Sequence, residues 1–144
     1  MAVSDKYIIF GQRKSNTDNT DVFILDRNTY QILNIDSRYC LGHFNGVTYN
    51  DSEDRFYISY ELNGSYKIGS FCINSNYEIS DLENISVKNY YWGIAYNNDD
   101  DNYILGSSSM IISNSNFEKI SQFAINKNLT KQDIRSEEHT SELQ

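Results

Sequence analysis

The chain has no proline, two cysteines, one tryptophan and two histidines among its 144 residues. Without proline there are no polyproline segments and no proline-rich linkers. Basic residues are scarce, 12 Lys and Arg against 20 Asp and Glu, giving a net charge of −8. Such a surface repels phosphate backbones, so nucleic acid is excluded as a partner. No apolar run approaches the roughly 20 residues of a membrane helix, which argues against membrane insertion. The start, Met1 to Gly11, has neither a basic segment nor an apolar one of signal-peptide length. If that start is native, the expectation is a cytoplasmic or virion-associated protein; otherwise the compartment is open.

What is present favours strands. Twelve Tyr, seven Phe and abundant Ile fit pleated, half-buried surfaces. Frequent Asn, Asp and Ser suit the many tight turns of an all-β chain. No stretch keeps a 3.6-residue period over helical length. The richness in Asn, Ile, Lys and Tyr also suggests an AT-rich genome, as in a low-GC bacterium or its phage.

The chain repeats itself. Gly46-Val47-Thr48-Tyr49-Asn50 recurs 47 residues later as Gly93-Ile94-Ala95-Tyr96-Asn97. Each copy runs through an acidic turn into an apolar strand, Phe56 to Ser59 and Tyr103 to Gly106. A second element appears three times. It is Val22 to Asp26 turning into Tyr30, Ser70 to Asn74 turning into Tyr77, and Met110 to Asn114 turning into Phe117. Each unit therefore holds four short strands joined by hairpin turns.

Four-stranded units of about 40–47 residues are the pattern of propeller blades. A β-sandwich would not repeat Gly-x-x-Tyr-Asn at one fixed spacing. The reading is an all-β fold, a partial β-propeller of about three antiparallel blades (1–45, 46–92 and 93–128) from a longer array. Closure needs about four to eight blades, so the missing blades of the same chain are expected partners, and unpaired edges predict oligomerisation or aggregation. Cys40 and Cys72 fall at unlike points of the repeat, and small buried hydrophobes are the expectation for both, not a disulfide or a metal pair.

The last ten residues, Arg135 to Gln144, resemble the translation of a sequencing-library adapter, and hydrophobic alternation stops before them. On this reading 135–144 is a non-native tail, and His139 within it carries no functional weight. Setting aside its one Arg and three Glu moves the net charge from −8 to −6.

Around Gly42-His43-Phe44-Asn45-Gly46-Val47-Thr48-Tyr49-Asn50 the chain resembles propeller-repeat proteins of low-GC bacteria and their phages. In those a blade often opens with Gly-His-x-Asn-Asp-x-Thr-Tyr-Asn. Gly42, His43, Asn45, Thr48, Tyr49 and Asn50 match, while Gly46 replaces the usual Asp. Members of that group are found with phage tail or cell-wall proteins, so the resemblance implies a recognition module more than an enzyme. That is analogy at the level of fold, and propellers host many functions.

In a propeller, the segments entering the innermost strands crowd around the central channel. At a spacing of 47, His43 aligns with Tyr90, Phe44 with Tyr91, and Asn45 with Trp92. His43, Asn45, Tyr91 and Trp92 are the candidate ligand-binding residues, rings and polar groups that could stack and hydrogen-bond a sugar or peptide. The plainer reading is that the rings pack between blades and His43 is a hydrogen-bonded structural residue.

No second His or catalytic Cys accompanies His43, so a zinc site and a nucleophilic triad both lack parts. The acidic turns Asp51 to Asp54 and Asp99 to Asn102 lack the EF-hand loop and read as solvated hairpin tips. Gly106-Ser107-Ser108-Ser109 lacks the Lys of a phosphate loop. No cofactor, metal or catalytic residue is assigned. The leading expectation is a non-enzymatic module binding a glycan, cell-wall polymer or protein. A propeller-type glycan hydrolase or lyase and a structural scaffold repeat are the alternatives. Carboxylates gathered at His43 would favour the enzyme, and His43, Tyr91 and Trp92 all buried would favour the scaffold.

Overall fold

The computed structural model describes residues 1–124. The 135–144 segment and the end of the 93–128 unit lie outside the described residues. Among these the chain is all-β, with no helix and twelve strands. The strands are β1 (Ala2–Val3), β2 (Tyr7–Arg13), β3 (Thr20–Asp26), β4 (Ile32–Asp36), β5 (Gly46–Asn50) and β6 (Arg55–Leu62). They continue as β7 (Ser65–Ile73), β8 (Ile79–Val87), β9 (Gly93–Asn97), β10 (Asn102–Gly106), β11 (Ser109–Ser113) and β12 (Lys119–Ala124).

They form three four-stranded antiparallel meanders, β1 to β4, β5 to β8 and β9 to β12. The chain is a partial β-propeller of about three blades. Strands β7 and β8 run to nine residues each, longer than the hydrophobic runs alone suggest.

The recurring sequence elements are turns whose chemistry is local. Asn50 and Asn97 end β5 and β9, and their side-chain oxygens accept backbone N–H groups of the turn that follows. The preceding tyrosines close the same loops: Tyr49 donates to Asp54 at 2.7 Å and Tyr96 to Asp101 at 2.8 Å. Both aspartates sit in the left-handed region, which Asp tolerates better than most residues. This fixes why Tyr-Asn and the Asp recur together.

The other hairpin element obeys the same logic three times. Asp26, Asn74 and Asn114 accept backbone N–H bonds from the turns they open. Tyr30, Tyr77 and Phe117 then take φ of 61°, 59° and 64°. The aromatic at this position reaches back onto the preceding blade. Tyr77 meets Tyr7 edge-on, with ring centroids 6.3 Å apart, and Phe117 lies 5.7 Å from Tyr57.

Two cores lie between the blades. The first joins Ile9, Val22 and Ile24 of one blade to Phe56, Ile58, Phe71 and Ile79 of the next, with Leu41 and Phe44 from the connector between them. The second joins Ile68 and Tyr57 to Tyr91, Ile94, Tyr103, Leu105 and Ile111. Each fully buried aliphatic or Phe side chain contributes roughly 1.5–3 kcal/mol. Strand alternation thus gives every blade a front face toward the preceding one and a back face toward the following one.

The cysteines depart from expectation. Both are free, as expected, but only half-buried, and each thiol has a polar neighbour. Cys40 donates to Asn19 at 3.2 Å, and Cys72 lies 3.3 Å from the Arg55 guanidinium. Burial pushes the Cys72 thiol pKa upward despite that cation.

Candidate functional site

In each antiparallel meander the β2–β3 type hairpin and the connector to the next blade lie at the same end. At this end the loops 14–19 and 63–64 meet the connectors 37–45 and 88–92.

The first connector is tightly held. Thr20, fully buried, donates to the Gly42 carbonyl at 2.7 Å and accepts the Leu41 N–H at 3.0 Å. Asn19 donates to the Ser37 carbonyl at 2.9 Å. Gly42 and Phe44 both take positive φ, 66° and 62°, so the chain reverses on either side of His43. Phe44 swings into the core and His43 is left exposed. Gly11 makes this possible, since a Cβ there would stand 2.8 Å from the Phe44 ring.

An ion pair anchors the outer end of the connector. The buried Asp36 carboxylate accepts from Arg38 at 2.8 Å and from the Ile79 N–H of the next blade at 3.0 Å, while Arg38 donates to the Ile79 carbonyl. Burial works against the Asp36 charge, but the guanidinium and the N–H outweigh it and hold the carboxyl below its usual range. At the 47-residue spacing the second blade has Glu83, Ile85 and Lys88 where the first has Asp36, Arg38 and Leu41.

The four candidate residues fall into two neighbouring depressions. His43 and Asn45 line one of about 670 Å³ with Arg13, Lys14 and the 15–18 loop. Tyr91 and Trp92 line a larger groove, about 1080 Å³, with Tyr66, Lys88, Asn89 and Gln122. A third hollow joins them, placing Tyr90 beside His43 and Glu61. Tyr90 lines both this third hollow and the larger groove, and its ring packs 5.9 Å from Tyr66. The 47-residue alignment already set it against His43.

Trp92 is 62% exposed, whereas Tyr91 is 8% exposed and belongs to the second core. The Trp92 backbone is pinned by its N–H bond to the Gly106 carbonyl at 2.8 Å. Gly46 abuts the Trp92 carbonyl, where a Cβ would come within 3.1 Å, so the innermost strands approach closely here.

Arg13, Lys14 and Lys88 lie at the connector end. Asp51, Glu53, Asp54, Asp99, Asp100 and Asp101 occupy the hairpins at the other. Asp18 and Glu61 also border His43, but Asp18 is paired with Arg13 at 2.7 Å. Among the described residues no group of three His, Cys, Asp or Glu is placed to hold a metal ion.

No family model matches the chain, and no curated protein matches it in sequence. Solved structures are similar to it in fold. A protein from Lactobacillus plantarum superposes with a TM-score of 0.56 at 10% identity, over 83% of this chain. Kuenenia stuttgartiensis hydrazine synthase superposes with a TM-score of 0.50 at 12% identity, over 85%. These likenesses show the fold alone. The chain spans 37% of the length of each.

Proposed function

We propose that the chain is a non-enzymatic recognition module that binds a glycan or cell-wall polymer at its connector end, in the setting of a phage tail or bacterial surface. The observation that carries this reading is the exposed Trp92 indole beside the groove of Lys88, Asn89, Tyr66 and Gln122. An indole face stacks on a pyranose ring, and amide and ammonium groups around it hydrogen-bond the hydroxyls. His43 and Asn45 extend the same surface in the adjoining depression.

A scaffold repeat would bury His43, Tyr91 and Trp92 together; Tyr91 is buried, but His43 and Trp92 are exposed. A glycan hydrolase needs two working carboxylates, and of the two beside His43 one is engaged by Arg13. The test is co-sedimentation of the protein with insoluble bacterial cell-wall polysaccharide. The wild type should pellet with the polymer and Trp92→Ala should stay largely in the supernatant. Equal pelleting of both, or none by either, overturns the assignment of this surface.

A further inference from the structure

The interface between the first two blades contains a ring that the interface between the second and third lacks. Tyr60 of β6 is buried at the first interface, and its hydroxyl donates to Asn84 Oδ1 at 2.5 Å. The ring lies over Gly69, the cross-strand partner of Asn84, where a Cβ would meet the ring edge at 3.3 Å. The first connector closes the place, since a Cβ on Gly42 would stand 3.3 Å from Tyr60.

At the 47-residue spacing Ser107 stands where the second blade has Tyr60, and Asn89 stands where the first connector has Gly42. The hairpin is also cut short. Strands β6 and β7 have eight and nine residues, while β10 and β11 have five each. The ladder below is kept: Leu105, Ile111 and Gln122 lie side by side as Ile58, Gly69 and Asn84 do. Among the described residues no ring takes the place of Tyr60, and the groove of about 1080 Å³ opens there, with Ser107, Ile111, Gln122 and Asn89 in its lining.

The groove is layered. Its floor is apolar, formed by Ile111 and Tyr91, each 8% exposed. Two side-chain amides, Asn89 and Gln122, stand over that floor. Gln122 donates to Ser109 Oγ at 2.7 Å and accepts from Lys119 at 3.1 Å. Those bonds orient the amide and leave it, among the described residues, one N–H and one lone pair for a ligand. At the first interface the corresponding amide, Asn84, accepts from the Tyr60 hydroxyl, so the fold already shows a hydroxylated ring bound in this place.

A glucan offers hydroxyls alone and has nothing to set on a methyl-lined floor. An acetamido group matches both layers, its methyl on Ile111 and Tyr91 and its N–H and carbonyl on the amides. We infer, on the glycan reading of this surface, that the groove selects N-acetylated sugar units. The gap left by Ser107 seats the acetamido-bearing ring between the second and third blades, and Trp92 stacks on the neighbouring unit.

Calorimetric titration of the full chain with tetra-N-acetylchitotetraose, and with cellotetraose, tests this. The second sugar is the same backbone with hydroxyls in place of acetamido groups. The wild type should bind the acetylated sugar about tenfold or more tighter than cellotetraose. Ser107→Tyr, which returns the missing ring, and Gln122→Ala, an exposed position, should each lose about tenfold or more for the acetylated sugar. The fluorescence of Trp92, the single tryptophan, should change on binding in the wild type. If Ser107→Tyr shows no melting transition in circular dichroism, Gln122→Ala carries the test. Equal affinity for the two sugars, or wild-type affinity in the folded variants, overturns the inference. So does binding of neither sugar while the cell-wall polymer still pellets through Trp92, an outcome that leaves the glycan reading standing. Binding of neither sugar with no pelleting overturns both.

Discussion

Asn50 and Tyr103 are both fully buried, and the Asn50 amide donates to the Tyr103 hydroxyl at 2.8 Å across the boundary between the second and third blades. The other end of the Asn50 side chain accepts from Ser52 and Glu53 of its own turn. One residue thus closes a hairpin and joins two blades. Asn97, its counterpart 47 residues on, closes only its own turn.

Asn50→Ala should therefore destabilise more than Asn97→Ala. It leaves a buried hydroxyl unpaired and removes a turn cap, a loss of about 2–3 kcal/mol, while the half-buried counterpart, which caps only its own turn, should lose about 1 kcal/mol or less. Urea melts of both variants measure the difference.

Gly11→Ala should cost about 1–3 kcal/mol, because its new methyl meets the Phe44 ring in a filled core. Phe44→Leu alone should also destabilise. In the double variant the costs should add to less than their sum, and a double-mutant cycle from denaturant melts reads that coupling.

Adjacent aromatics in the second connector should behave differently. Tyr91→Ala empties a place in the second core and should cost about 2–4 kcal/mol. Trp92→Ala removes a largely exposed ring and should lie within about 0.5 kcal/mol of wild type. Thermal denaturation of both variants distinguishes a packing ring from a surface one.

Acid should weaken the clasp between the first two blades. The folded-state pKa of Asp36 is depressed, so the stability it contributes is present above its unfolded value near 3.8 and is lost as pH falls through the folded value. The wild type should lose stability on acidification below about pH 4. Asp36→Asn should start less stable at pH 7 and show a shallower decline over the same window. Arg38 is half-exposed, so solvent screening limits the size of the effect. Chemical denaturation repeated at pH 7, 4 and 3 gives both slopes.

The sequence alone determined the strands and the turns. Tyr-Asn followed by Asp, and Asp or Asn followed by an aromatic, are local devices, since the side chain bonds its own backbone within a few residues. The 47-residue spacing carried the blade pattern and set His43 against Tyr90 and Asn45 against Trp92. Tertiary structure decided which rings are buried. Phe44 and Tyr91 turn inward while His43 and Trp92 face out, because Gly11, Thr20 and the Gly106 carbonyl fix the connectors from strands far away in the chain. The pairing of Asp36 and Arg38 with Ile79, and of Asn50 with Tyr103, was hidden for the same reason. Such contacts form between blades, and no local pattern of residues encodes the angle at which one sheet meets the next.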